Sequence, residues 1–323
     1  MATWAHGQMT QAIIDLGTNT FNLLVFEHGA AGLRILHSSE LPVFLGKGGI
    51  EKGVISEDAF ARGLEALARH KATAAASGAL KIRGFGTSAL RNARNGRDFV
   101  DHALQELGIP IDIIPGDEEA SLILDGVKQA VELTARPALI MDIGGGSIEF
   151  ILATNKALMW KRSFELGVTR LRERIPMSEP ITVEEEARLA AHLDDRLEPL
   201  WAVIERHEPH TLIGSAGSFD TLAAMVRATR DGDGIADASQ EQHTTLDFTA
   251  LEFDGLREGL LRMTRTEREH TPGLPPHRVD TIVYALIAIE RVLTAGGIRH
   301  LTWSRYALKE GAAARMVQDH GIC

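Results

Sequence analysis

Two carboxylates occupy the same place in two copies of one pattern. The stretch "IIDLGTNTFNLLVF" begins at Ile13 and "IMDIGGGSIEFILA" at Ile140, and they align without a gap. Asp15 falls on Asp142, Gly17 on Gly144, Asn19 on Gly146 and Thr20 on Ser147. Each acid lies near the end of an apolar run and is followed by a turn of small residues and a second apolar run. Desolvating a charge in such a run is costly, so each carboxylate is expected to meet something. Turn amides and hydroxyls can cradle a phosphate, and a strand-end carboxylate can hold a hydrated Mg2+. Taken alone, each copy also reads as a plain β-hairpin whose turn calls for Gly and Asn. Duplication favours the chemical reading. A spacing of 140 − 13 = 127 residues is too wide for a stacked short-repeat solenoid and fits two similar domains.

Other chemistries are weaker or absent. "GGGSIEFILA" continues as strand, whereas a dinucleotide fingerprint must open a helix. There is no G-x-x-x-x-G-K-[ST] loop, no G-x-S-x-G and no H-E-x-x-H, although the chain has 13 histidines. His207 and His210 flank Pro209 at an expected helix end and read as surface or loop residues. A third glycine-rich turn, "GSAGS" from Gly214 to Ser218, lies between strand-like and helix-like stretches. Arg91 directly follows the "GTSAL" loop and is the basic residue best placed for a phosphate. Arg94 and Arg97 are left unassigned, a solvated basic face being the usual explanation of such a short charge run, and Lys47 reads as a surface cation. Glu118 and Glu119, by position alone, favour a helix N-terminus.

The elements that must position these residues alternate between strand and helix patterns, which indicates α/β architecture. Ser56 is an expected cap for a helix with Glu57 and Asp58 in its first turn and an apolar stripe of Phe60, Leu64, Leu67 and Ala68. "LKIRGFG" and "IDIIPG" read as short strands, and a helix is expected from about Asp117 through "EEASLILDGVKQAVEL". Thr182 and Glu185 have capping-box spacing. The polar stretch from Arg230 to His243 is expected to be a mobile loop. "IVYALIAI", Ile282 to Ile289, is a core helix too short to cross a bilayer. A strand near Leu301 and a helix from about Ala307 to Gln318 close the chain.

Composition bounds the rest. With 323 residues, a core for about two domains is available, and 44% apolar and 24% charged residues are ordinary values. The net charge of −10 argues against sequence-independent nucleic-acid binding. The single cysteine, Cys323, forms no internal disulfide, and "MATWAHGQMTQ" lacks signal-peptide character, so a cytoplasmic protein without membrane partners is expected.

Together, "DLGTNTFNLLV", "GTSALRNARN", "IIPGDEEASLILDGV" and "DIGGGSIEF" resemble the superfamily of actin, sugar kinases and heat-shock chaperone ATPase domains. Within it they look most like the Ppx/GppA phosphatases, the exopolyphosphatases and guanosine pentaphosphate phosphohydrolases. "IGSAGSFDTLA" and "YALKEGAA" match more loosely. The resemblance implies two related domains of the actin-like (ribonuclease H-like) type with an interdomain cleft. They would span residues 1–126 and 127–323, with the closing helix free to pack back on the first. It makes Glu119 the catalytic base and Asp15, Asp142 and Glu149 the acidic residues that position Mg2+, with Mn2+ as an alternative ion. Thr18 and Asn19 would belong to the first phosphate loop, Gly144, Gly145, Gly146 and Ser147 to the second, with Arg91 facing the phosphates. The implied substrates are inorganic polyphosphate or guanosine penta- and tetraphosphates; a non-catalytic binder of those nucleotides and a homodimer are left open. Departures are Ser121 for a common arginine, Ile148 for a threonine, and Ala307 and Lys309 in a "GLREG"-like stretch. The chain also stops before the HD-like domain that longer members append.

Overall fold

The computed structural model describes residues 9–29, 32–230 and 243–320. The first eight residues, Cys323 and the 231–242 stretch expected as a mobile loop lie outside the described residues. The chain divides into two compact units, one of residues 1–126 with 308–323 and one of residues 127–307. The last helix, counted with the second half in the sequence division, thus belongs to the first unit.

In the first unit, strands β1 (Gln11–Leu16), β2 (Thr20–Gly29) and β3 (Gly32–Pro42) form an antiparallel meander. β4 (Lys81–Gly86) and β5 (Ile111–Ile113) extend it in parallel, giving the order β3-β2-β1-β4-β5. Helices α1 (Glu57–Ala76), α2 (Ser88–Asn92), α3 (Gly96–Leu107) and α4 (Gly116–Ala130) follow in chain order. Ser56 caps α1 by accepting from the Ala59 amide. The buried face of α1 is rotated from the expected stripe: Ala59, Gly63, Ala66, Leu67, His70 and Ala74 face inward, and Ala68 is exposed. The cause is Phe99 of α3, whose ring would lie 2.7 Å from a Cβ at Gly63 and so demands a small residue there.

The second unit repeats this plan. β6 (Ala138–Ile143), β7 (Ile148–Ala153) and β8 (Leu158–Phe164) form the meander, and β9 (Thr211–Ser215) and β11 (His300–Ser304) add in parallel. β10 (Thr245–Phe248) adds one antiparallel edge strand, giving β10-β11-β9-β6-β7-β8. Its helices are α5 (Val168–Arg174), α6 (Val183–Arg196), α7 (Glu198–His207), α8 (Ala216–Arg230), α9 (Ala250–Arg262), α10 (Arg265–Arg268) and α11 (Ile282–Gly296). Thr182 and Glu185 form the expected capping box. Residues 282–289 of α11 are all buried, as a core helix requires. No helix among the described residues is long and apolar enough to cross a membrane.

The closing helix α12 (Leu308–His320) lies against β1 and β2. It also meets α4 at Gly311, where a Cβ would fall 1.8 Å from the Leu122 carbonyl oxygen. Each unit has its own apolar core, one around Phe21 and Phe99, the other around Phe150, Phe219 and α11.

Candidate active site

The two aligned turns are the same structure. Gly17 N–H donates to the Thr20 carbonyl at 3.0 Å, and Gly144 N–H to that of Ser147 at 3.1 Å. In the second turn the α5 segment grips the outward carbonyls. Val168 N–H donates to Gly144 at 3.0 Å, Thr169 N–H to Gly145 at 2.9 Å and Gly167 N–H to Gly146 at 3.1 Å. The Arg170 guanidinium adds a bond to the Gly146 carbonyl at 3.1 Å and is itself held by Glu165. In a trans peptide the C=O and the following N–H point oppositely. Pinning three carbonyls against α5 therefore aims the amides of Gly145, Gly146 and Ser147 the other way, as an oxyanion cradle requires. Gly167 has no room for a side chain, since a Cβ would lie 2.4 Å from Gly145 and Gly146 backbone atoms. In the first turn residues 43–46 do the corresponding work. Val43 and Phe44 N–H both donate to Asn19 at 2.8 Å, and Gly46 N–H donates to Thr18 at 3.1 Å.

Sheet register then builds a row of side chains beside each turn. Asp142 pairs with Glu149 across β6 and β7, Ser215 of β9 pairs with Asp142, and Ser163 of β8 pairs with Glu149. Directly paired residues project to one face of a sheet. The Ser215 hydroxyl donates to Asp142 Oδ2 at 2.9 Å, and the Ser163 hydroxyl to Glu149 Oε1 at 2.6 Å. Both carboxylates are buried. The corresponding row in the first unit is Phe85, Asp15, Asn22 and Glu40. Asn22, the counterpart of Glu149, donates its amide to Asp15 Oδ2 at 3.3 Å. Burial pushes the Asp15 carboxyl up to about 6, against the downward pull of Lys309 and the Asn22 hydrogen bond. Lys309 is itself paired with the buried Glu310 at 2.9 Å.

Glu119 lies in the first turn of α4 and is buried. Arg91 Nη1 donates to Glu119 Oε2 at 2.7 Å and to the Ile114 carbonyl at 3.1 Å. The guanidinium and the helix N-terminus both favour a charged carboxylate here. Arg97 is an exposed partner of Asp101, and Lys47 is exposed, in line with surface roles. Ser121 donates to the Asp117 carbonyl at 2.9 Å, so its hydroxyl serves the helix backbone.

The donor set suits Mg2+. Paired carboxylates are hard oxygen ligands, and Mg2+ commonly uses one or two of them while keeping several waters. Asp142 and Glu149 would hold such an ion in the second unit. Asp15 stands beside an amide instead of a second carboxylate, a thinner donor set in the first.

The third glycine stretch differs from its sequence reading. β9 runs straight into α8 with Ala216 at φ 63°, and the two glycines make room for neighbours. A Cβ at Gly214 would meet the Phe219 ring at 2.0 Å, and one at Gly217 the Arg278 guanidinium at 1.8 Å. Phe219 is therefore a core residue. The residues that sequence reasoning missed are Ser163, Ser215, Gly167, Arg170 and Asn22. Register counting from the aligned motif would have reached Asn22, while no local signal marks the others.

A model of the Ppx/GppA phosphatase family matches residues 24–320. The chain belongs to the Ppx/GppA phosphatase family. Other members show how widely the likeness extends. Exopolyphosphatase 2 of Mycobacterium tuberculosis is 29% identical over 315 residues, covering 94% of this chain and 97% of that protein. A guanosine-5'-triphosphate,3'-diphosphate pyrophosphatase of Vibrio cholerae is 27% identical over 308 residues, covering 95% of this chain but 59% of the relative. An exopolyphosphatase structure from Cytophaga hutchinsonii superposes with a TM-score of 0.91 at 35% identity, covering 96% and 98% of the two chains. The Aquifex aeolicus PPX-GPPA enzyme, at 21% identity and TM-score 0.78, shares the fold.

Proposed function

We propose that this member of the family hydrolyses a terminal phosphoanhydride, releasing orthophosphate from inorganic polyphosphate. The observation that carries this reading is the Ser215–Asp142–Glu149–Ser163 row set beside a turn whose three glycine carbonyls are gripped by the α5 segment. Such a turn offers amides to phosphoryl oxygens and cannot relax toward another shape without losing those bonds. Glu119 takes the proton from the attacking water, and Arg91, which holds it, also supplies positive charge for the phosphate chain. Asp142 and Glu149, oriented by the two serines, would bind hydrated Mg2+. When bound, that ion would offset charge on the phosphoryl oxygens. Asp15, Thr18 and Asn19 would play the corresponding part in the first turn, with Asn22 in place of the second acid.

The Vibrio cholerae likeness favours one alternative substrate, the 5′ end of pppGpp. One assay tests both: phosphate release with Mg2+ from short polyphosphate, long polyphosphate, pppGpp and ATP. Glu119→Gln should abolish turnover on the preferred substrate while leaving the circular-dichroism spectrum intact. Full turnover by that variant would remove Glu119 from the mechanism.

A further inference from the structure

The opposite end of the second sheet carries a feature the hydrolytic site does not use. His210 precedes β9 and His300 opens β11, adjacent parallel strands in which His300 pairs with Thr211. Their rings stack with centroids 4.4 Å apart and planes 21° from parallel. Metal ions bind imidazole nitrogens in the ring plane, and two nearly parallel planes at this separation do not converge on one ion. A shared metal is thereby excluded; His210 Nδ1 lies 3.4 Å from the Thr211 hydroxyl oxygen, which leaves its Nε2 edge to meet a ligand. His210 lines two surface hollows of ≈ 310 and ≈ 320 Å³. His210 is shared by the two hollows, with Arg299, His300 and Glu208 on one side of it and Arg136 and Glu132 on the other, in a chain whose net charge is −10.

We propose that this cluster is a proton-gated site for phosphate-type oxyanions, bound by the imidazolium edges of His210 and His300 and the guanidinium groups of Arg136 and Arg299. Guanidinium and imidazolium donors are the charge-assisted partners that phosphate oxygens take most strongly. Burial, Arg136 and His300 together hold His210 below the ordinary histidine range, so it is largely neutral at pH 7. An anion lying across both ring edges offsets the repulsion among these cations. Protonation and binding then reinforce each other through linkage, and affinity rises as pH falls through the histidine range.

The test is histidine-edited NMR of the labelled full-length chain in EDTA, with the two rings assigned from His210→Gln and His300→Gln. The pH titration of each ring is followed with chloride, orthophosphate or tripolyphosphate at matched ionic strength. The His210 midpoint is expected to rise by about 0.5 unit or more with a phosphate anion, corresponding to roughly three-fold tighter binding to the protonated form. The rise should be lost in an Arg136→Gln/Arg299→Gln double variant. A larger effect of tripolyphosphate identifies a chain ligand, and an equal effect identifies a single phosphate group. A His210 midpoint that matches its value in chloride, or a rise that survives the double variant, would overturn the site. Because the rings report locally and no turnover is measured, the outcome is independent of the hydrolytic reading.

Discussion

Replacing Asp15 with asparagine should stabilise the first unit at neutral pH and lose most of that gain in acid. Burial raises the Asp15 carboxyl from 3.8 to about 6. The folded state therefore holds the proton more tightly than the unfolded chain. Between these two values stability falls as pH rises, and above about 6 the whole penalty is present. A shift of about 2 units corresponds to roughly 3 kcal/mol, an upper bound on what keeping this carboxylate ionised costs. Asparagine keeps the shape and can still accept from Asn22, so the gain comes from removing charge and not from repacking. Hydrogen exchange of peptides covering β1 and β2, in EDTA so that no metal compensates the charge, reads this unit directly. Exchange in Asp15→Asn should slow by up to about 100-fold at pH 7.5 and by less than about ten-fold near pH 4.5. Phosphate release should fall in the same variant. Equal slowing at both pH values, or faster exchange at pH 7.5, would refute the reasoning, because either result means that charge desolvation is not what Asp15 imposes.

Ser163→Ala and Ser215→Ala each remove a hydroxyl from a buried carboxylate, and Mg2+ titrations of phosphate release should show roughly 10–100-fold weaker apparent metal affinity or activity. Gly167→Ala pushes a methyl into the Gly145–Gly146 backbone. A shift of about 1 Å in that turn should cost on the order of 100-fold in kcat/KM with little change in circular dichroism. His70 is buried with its Nε2 3.0 Å from the Phe21 carbonyl, and burial lowers its pKa from 6.5. Below that pH the unfolded chain takes up a proton that the folded one resists, so stability should fall as pH drops. His70→Gln should flatten this acid slope in hydrogen exchange of α1.

Local chemistry made the two strand–turn–strand units legible, because a carboxylate at a strand end followed by small residues is written in contiguous residues. The Thr182–Glu185 box and the apolar run of α11 were readable for the same reason: capping and helical burial act over a few positions. The inward face of α1 was not, since Phe99, 36 residues from Gly63 in the chain, decides which side is filled. The "GSAGS" glycines read as a turn between strand and helix, yet they accommodate Phe219 and Arg278, which only packing could reveal.

The contrast is sharpest around Asp142. Sequence alone determined that this acid and Asp15 share one motif, and that their turns could be built from glycine, threonine and serine. Tertiary structure decided that Ser215, 73 residues away, and Ser163 would hold the two carboxylates, and that α5 would turn the glycine carbonyls aside. Strand pairing brings distant residues into register without leaving a local pattern, so the supports of the site, unlike its acids, had to be seen in three dimensions.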